Sequence, residues 1–176
     1  NVIKMRQTVS MSLAYGVKAF KWWVGWTMFD IHKVVETEPP PLSDIGREVG
    51  RCNNTMAAFS PSLVGARSVA VYHTAPLPAS TREAPGDYWV RPSGEHIVMG
   101  VFEGARGERF IALGNRDIGE PRMADVTVEG RVRKVRRMDK GSRQWKDVPV
   151  REEGGVSKVS LEIDKGDIEL LEVVRE

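Results

Sequence analysis

Cysteine and histidine are scarce in this chain of 176 residues, and long hydrophobic runs are missing. Cys52 is the single cysteine, which excludes an internal disulfide and a zinc cluster built on cysteines. No apolar run approaches the roughly 20 residues that cross a bilayer as a helix. Phosphate-binding loops, dinucleotide fingerprints and nucleophile elbows are also absent, so the sequence predicts no cofactor and no metal site.

The charges of the chain nearly cancel. Lys and Arg total 26 against 24 Asp and Glu, which gives a net charge of +2. This balance offers no general attraction to nucleic acid or to a membrane surface, and we predict neither as a partner. Hydrophobic residues make up 41% of the chain, a composition typical of folded globular proteins rather than of disordered ones.

The N-terminus lacks the features of a complete protein. Asn1 stands where an initiator methionine is expected, and no leader with a basic and then an apolar part follows it. We expect the chain to be either a processed protein or, as we favour, part of a longer one.

One helix and one strand are predicted before residue 26. The segment IKMRQTVSMSLAYG has a broad apolar side and ends at Gly16, because glycine is a common helix stop. The run VKAFKWW begins at Val17, is rich in aromatic residues and is bounded by Gly16 and Gly25. These features are typical of a buried strand.

A second helix is predicted after the prolines of ETEPPPLSD, with Ser43 or Asp44 as its cap. Its apolar residues recur at steps of three and four along one face: Ile45, Val49, Cys52, Met56 and Phe59. Pro61 is expected to end this helix, because proline cannot continue the helical hydrogen bonds.

The pattern changes after Arg67 to short runs separated by Gly, Asp, Asn and Pro. The runs are SVAVYHT, EHIVMGVFE, RFIALGNRD, MADVTVEG, VSKVSLEID and DIELLEVV. In VSKVSLEID, apolar and polar residues alternate with the period of two that a half-buried strand requires. We predict an antiparallel sandwich of about six to eight strands.

The sequence thus predicts an α+β chain with two parts. Residues 1–66 are helix, strand and helix, and residues 67–176 are an all-β antiparallel sandwich. A buried strand with helices beside it belongs in a parallel sheet, but the first part offers it no neighbouring strand. We therefore interpret residues 1–66 as the terminal part of a (β/α)8 barrel whose N-terminal portion lies outside this chain.

Several segments, in this order, resemble TIM-barrel glycoside hydrolases. SLAYGVKAFKWWVGW is similar to the last helix and eighth strand of such barrels, and LSDIGREVGRCNNTMAAFSPSLVGARSVAVYHT to the final helix and the passage into a C-terminal β-domain. Three later runs are similar to that β-sandwich, namely FIALGNRD, VRKVRRMDKGSRQWKDVPV and GDIELLEV. The resemblance implies hydrolysis of glycosidic bonds and a carbohydrate substrate in the intact protein.

The resemblance also implies that this chain lacks the catalytic residues. Such enzymes place two carboxylates at the ends of barrel strands four and seven, one on each side of the scissile bond. Both strands would precede Asn1, so we assign no catalytic residue here and expect the isolated chain to be inactive.

Trp23, Trp26 and Asp30 are the predicted substrate-binding residues. In these barrels an aromatic residue at the end of the eighth strand often forms the floor of a sugar subsite, because an indole packs against the C–H face of a pyranose. Alternation along the strand directs Phe20 and Trp22 toward the helices and Trp23 into the barrel. Trp26 and Asp30 follow in the loop at the rim. The alternative is that all three tryptophans simply pack.

Two further features have simpler explanations. RVRKVRRMDK could bind phosphate, but valines interrupt it and carboxylates follow closely, which favours a solvated strand face. His73, at the junction of the two parts, is predicted to be a hydrogen-bonded structural histidine rather than a catalytic base. As a whole, the sandwich could instead be a non-catalytic carbohydrate-binding or interaction module, which is our second hypothesis.

Overall fold

A computed structural model describes residues 1–22, 28–30 and 41–175, in which two helices precede ten strands. Helix α1 spans Val2–Ala14. The Asn1 side chain accepts a hydrogen bond from the backbone N–H of Ile3 and caps the first turn. The helix stops at Tyr15, and Gly16 follows with a φ of +89°, which confirms the predicted end.

Helix α2 spans Asp44–Leu63, and Ser43 is its N-cap. The predicted stop at Pro61 is wrong, since the helix continues to Leu63. Proline has no N–H to donate to the carbonyl of Ala57, but the Ser60 hydroxyl donates to that oxygen at 3.4 Å. The lost backbone bond is thus partly replaced one residue before the proline.

The predicted apolar face of α2 is confirmed except at its first position. Val49, Cys52 and Phe59 are buried, and Met56 is partly buried against the same hydrophobic cluster. Ile45 is instead 42% exposed, because it lies in the first turn, at the edge of the helix pair.

The predicted strand after α1 does not form in its described part, since residues 17–22 are neither helix nor strand. A strand requires a hydrogen-bonded neighbour, and the ten strands that the structure describes belong to two antiparallel sheets that do not include this segment. Phe20 and Trp22, two of the aromatic residues that suggested a buried strand, instead pack against the cluster between the helices and the sheet.

The strands after residue 66 form two antiparallel sheets. The six-stranded sheet has the order β1-β3-β4-β10-β6-β7 and the four-stranded sheet the order β2-β5-β9-β8. Their bounds are β1 Arg67–His73, β2 Val90–Ser93, β3 Ile97–Glu103, β4 Arg109–Asn115, β5 Arg122–Glu129, β6 Val132–Asp139, β7 Gln144–Val148, β8 Arg151–Glu153, β9 Val156–Ile163 and β10 Ile168–Arg175.

The predicted antiparallel sandwich is confirmed, with ten strands in place of six to eight. Each of the six predicted runs contains a strand, namely β1, β3, β4, β5, β9 and β10. The four further strands are short or carry many charges, so they lack a clear alternation of apolar and polar residues.

Two hydrophobic clusters give the described part of the chain three layers. One cluster fills the space between the sheets, and the other lies between the six-stranded sheet and the two helices. In β3, Met99 and Val101 belong to the first cluster, whereas Val98 and Phe102 belong to the second. The central strands of the six-stranded sheet, such as β3 and β4, are therefore buried on both faces.

The barrel origin of residues 1–66 and the division at residue 66 stay predictions. The second cluster draws residues from both sides of that division, for example Phe59 in α2 and Phe110 in β4. The helices are thus an integral cover of the sheet. Neither described helix is long and apolar enough to cross a membrane.

Candidate functional site

The segment that follows α1 is fixed against α2 at its beginning by Lys18. The Lys18 ammonium donates to the carbonyl of Ala66 at 2.7 Å and also to that of Leu63. These carbonyls belong to the C-terminal end of α2, where backbone oxygens lack helical partners and the helix dipole is negative. Burial lowers the pKa of Lys18. The side chain therefore joins the start of this segment to the end of α2.

Trp22 holds the same segment to the middle of α2. Its indole Nε1 donates to the Asn53 side-chain oxygen at 2.8 Å. Phe20 and Trp22 are partly buried and pack against the cluster between helices and sheet, whereas Ala19 and Lys21 are exposed. The prediction that Phe20 and Trp22 form the helix-facing pair is confirmed.

Residues 28–30 are held at the N-terminal end of α2. The carbonyl of Met28 accepts from the N–H of Ser43, and the N–H of Asp30 donates to the carbonyl of Pro41, each at 2.9 Å. Phe29 and Leu42 form an antiparallel bridge between these two pairs. The described residues on both sides of 23–27 are therefore anchored, and they run antiparallel to α2 from its C-terminal to its N-terminal end.

Of the three predicted substrate-binding residues, Asp30 alone lies in the part of the chain that the structure describes. Trp23 and Trp26 lie outside the described residues. Asp30 is half-buried in the pairing with Pro41. The structure does not bring the three together in one described site, and their contact with a sugar stays a prediction.

Gly46 sets how closely this segment approaches α2, and its replacement by alanine provides a test. A Cβ at this position would lie 2.0 Å from the carbonyl oxygen of Met28. We expect Gly46→Ala to displace Met28 and to lower the free energy of unfolding by about 1–3 kcal/mol, as overpacking does elsewhere.

Gly50→Ala is the matched control on the same helix. A Cβ at Gly50 would meet no atom within 4 Å. Alanine is the better helix former, so this change should raise stability by up to about 1 kcal/mol. Urea denaturation of both variants measures the difference. Equal stabilisation at the two positions would contradict the close approach of Met28.

His73 connects the helical layer to the sandwich. Its Nε2 lies 2.8 Å from the Tyr15 hydroxyl, which confirms the predicted hydrogen-bonded junction histidine. Within the described part of the chain, its buried Nδ1 has no hydrogen-bond partner. Burial and the nearby charge of Arg116 lower the pKa of His73 to about 4, so the ring is neutral at pH 7. The ring lines a polar cleft of about 370 Å³.

The basic cluster RVRKVRRMDK lies largely on β6, and most of its cations are paired with carboxylates. Arg136 contacts Glu172, and Lys134 lies 3.8 Å from Asp147. This pairing confirms the predicted strand face and leaves little positive charge for a phosphate. In the portion of the chain that the structure describes, no cluster of three or more ligating side chains could hold a metal ion.

Comparison with known proteins gives distant structural likeness and no family. No family model matches the chain, and no curated protein matches it. Among solved structures, the chain is similar to a rhamnosidase from Novosphingobium sp. PP1Y, with a TM-score of 0.40 and 11% sequence identity. The match covers 49% of this chain and 8% of the rhamnosidase chain. A likeness this distant assigns neither a family nor a function.

Proposed function

We propose that this chain is the C-terminal part of a glycoside hydrolase, comprising the end of a catalytic (β/α)8 barrel and a β-sandwich. The catalytic carboxylates belong to a portion of the protein outside this chain. The observation that carries the proposal is the placement of residues 17–22 and 28–30 along α2, where Lys18 contacts its C-terminal end, Trp22 its middle and Met28 its N-terminal end.

The direction of these residues along α2 is that of the strand in one β/α unit of a barrel, although residues 17–22 have no neighbouring strand among those described. In such a unit the strand runs antiparallel to the helix that follows it, and one side of the strand packs on that helix. Phe20 and Trp22 occupy the helix side, and Ala19 and Lys21 point away from it. The remaining strands of the barrel would cover this outer side, and the ordered motif resemblance to TIM-barrel glycosidases supplies the same assignment independently.

The loop after this segment is the proposed place of substrate contact. Barrel enzymes build their active sites from the loops that follow the strands. Trp23 or Trp26 would stack on a pyranose ring, and Asp30 would accept hydrogen bonds from sugar hydroxyls. Removal of the stacking tryptophan in the complete enzyme should cost about 1–3 kcal/mol of transition-state binding.

A second candidate function is a carbohydrate-binding module, with the sandwich as its working part. The observation that favours it is a cleft on the sandwich lined by Trp145 and Glu172. The cluster shared by the helices and the six-stranded sheet argues against a loosely tethered module, because the sheet needs the helices as its cover.

Activity assays on two proteins test the proposal. The chain of 176 residues and a longer parent that includes the upstream barrel are each offered a panel of aryl glycosides. We expect hydrolysis by the parent alone, because both catalytic carboxylates lie outside the shorter chain. Turnover by the short chain that is abolished by changing Asp30, Glu36 or Glu38 would refute this placement. Inactivity of both proteins would favour the binding module.

A further inference from the structure

A cleft of about 350 Å³ opens where the end of α2 meets the turn between β3 and β4. It lies on the helix-facing side of the six-stranded sheet, beyond the part that the helices cover. Its walls come from Ser62 and Ala66 near the end of α2, and from Arg106 and Glu108 in the β3–β4 turn. This volume falls within the range of small-molecule sites in proteins.

The floor of the cleft combines an aromatic pair with a partly buried ion pair. The rings of Phe110 and Trp145 are stacked, with centroids 6.0 Å apart and planes 13° from parallel. Glu172 lies between Phe110 and Arg136 in the strand register, and it accepts from the Arg136 Nε at 2.6 Å. The floor is rigid, because β4, β10 and β6 are hydrogen-bonded neighbours within the sheet.

Trp145 is held in place but keeps part of its surface accessible. The guanidinium carbon of Arg136 lies 5.6 Å from the centre of its ring, and Phe110 supports it from β4. The residue is nonetheless only half-buried. Trp89 is also half-buried, but two cations rather than one lie against its ring, since the guanidinium carbons of Arg109 and Arg175 are 4.8 and 5.0 Å from its centre.

The charges around the cleft balance, which selects for a neutral ligand. Arg106, Glu108 and Glu172 line the cleft, and Arg136 lies beside it as the partner of Glu172, so two positive charges face two negative ones. An anion or a cation would gain attraction from one pair and repulsion from the other. A ligand with many hydroxyl groups can donate to the carboxylates and accept from the guanidinium groups without carrying charge.

We propose that this cleft binds one pyranose unit of a neutral carbohydrate, with a C–H face of the sugar on Trp145 and its hydroxyls directed to Glu108, Glu172 and Arg106. Indole surfaces provide large rigid contacts for apolar faces, and the surrounding charged groups fix orientation. The choice of a carbohydrate rests on the proposed function, whereas the site itself rests on the geometry of the sandwich.

The test uses the indole N–H signals of the five tryptophans in ¹⁵N-labelled protein. The probes are methyl glycosides of neutral pyranoses at millimolar concentrations, with methyl glucuronide as an anionic contrast and methyl glucosaminide as a cationic one. We expect saturable movement of the Trp145 signal with at least one neutral probe, weaker binding of both charged probes and little movement of Trp89. A Trp145 signal unmoved by every neutral probe would overturn the proposal, as would equal binding of the charged ones.

Variants separate stacking from general effects on folding. Trp145→Ala should weaken binding about tenfold, which corresponds to the loss of one aromatic contact. Trp145→Phe should retain part of the affinity, and Trp89→Phe should retain all of it. If Trp145→Ala does not fold, Glu108→Ala provides the same test at the rim and should also weaken binding. Undiminished affinity in the folded variant would refute the site.

The binding test and the hydrolysis assay can fail independently. Sugar binding at Trp145 together with an inactive parent would uphold this site and reject the hydrolase. Hydrolysis by the parent without movement of the Trp145 signal would uphold the hydrolase and reject this site.

Discussion

Replacement of Phe59 by alanine is expected to lower the free energy of unfolding by about 3–5 kcal/mol. The Phe59 side chain is fully buried and belongs to the cluster that joins both helices to the six-stranded sheet. Its removal would leave a cavity between rigid layers, and such layers relax only partly. The loss would therefore include both the transfer of the ring to water and the cost of the cavity.

Chemical denaturation of the two proteins measures this loss, and Ile45→Ala is the matched control. Ile45 occupies the same predicted apolar face of α2 but is 42% exposed. Its truncation should change stability by no more than about 0.5 kcal/mol. A loss below about 1 kcal/mol for Phe59→Ala would mean that the helices do not pack firmly on the sheet.

The two helices and six of the strands could be predicted because each has a clear period and a clear boundary. The end of α1 follows from Gly16, and the buried face of α2 follows from steps of three and four residues. In β9, alternate burial of Val159, Leu161 and Ile163 matches the period of two in the sequence. These signals are local, so one sequence suffices to identify them.

The strand predicted after α1 is wrong in its described part. Its aromatic residues indicate burial, but they do not indicate whether a neighbouring strand is present. Phe20 and Trp22 are aromatic and partly buried, as in a strand, but they pack on the helices. Hydrogen bonding between strands depends on a second strand, which the local sequence does not specify. The anchors at Lys18 and Asn53 likewise join residues that are distant in sequence.

The Trp145 cleft could not be predicted for a similar reason. Its residues come from α2, the β3–β4 turn and three strands, and no short motif contains more than a few of them. In addition, β6 and β7 are rich in charge, which conceals their strand character in the sequence. Their charged residues are accommodated by pairing between strands, as Arg136 and Glu172 show. The clearest signal in the sequence is Trp145 itself, a large aromatic residue in a charged hairpin.

Arg6→Leu is expected to lower the free energy of unfolding by about 3–5 kcal/mol, because it leaves Glu48 buried without its charge partner. The Arg6 guanidinium donates from Nε to Glu48 Oε1 at 2.6 Å and from Nη2 to Oε2 at 2.8 Å. The side chains are only 11% and 8% exposed. The hydrogen bonding of Arg6 to the Glu48 carboxylate is the main reason that the pKa of Arg6 is raised. This bidentate pair joins α1 to α2 inside the helical layer.

Two further variants separate the cost of an unpaired charge from the value of the pair. Arg6→Leu combined with Glu48→Leu removes both charges, so it should recover much of the stability lost in the single variant. Arg47→Ala removes an exposed partner of Asp44 on the same helix and should cost at most about 1 kcal/mol. Urea denaturation of all four proteins, including the unmodified chain, gives the comparison.

If the double variant is as unstable as Arg6→Leu, the loss arises from packing of the long Arg6 side chain. If Arg6→Leu costs no more than Arg47→Ala, the two helices are not joined through a desolvated ion pair.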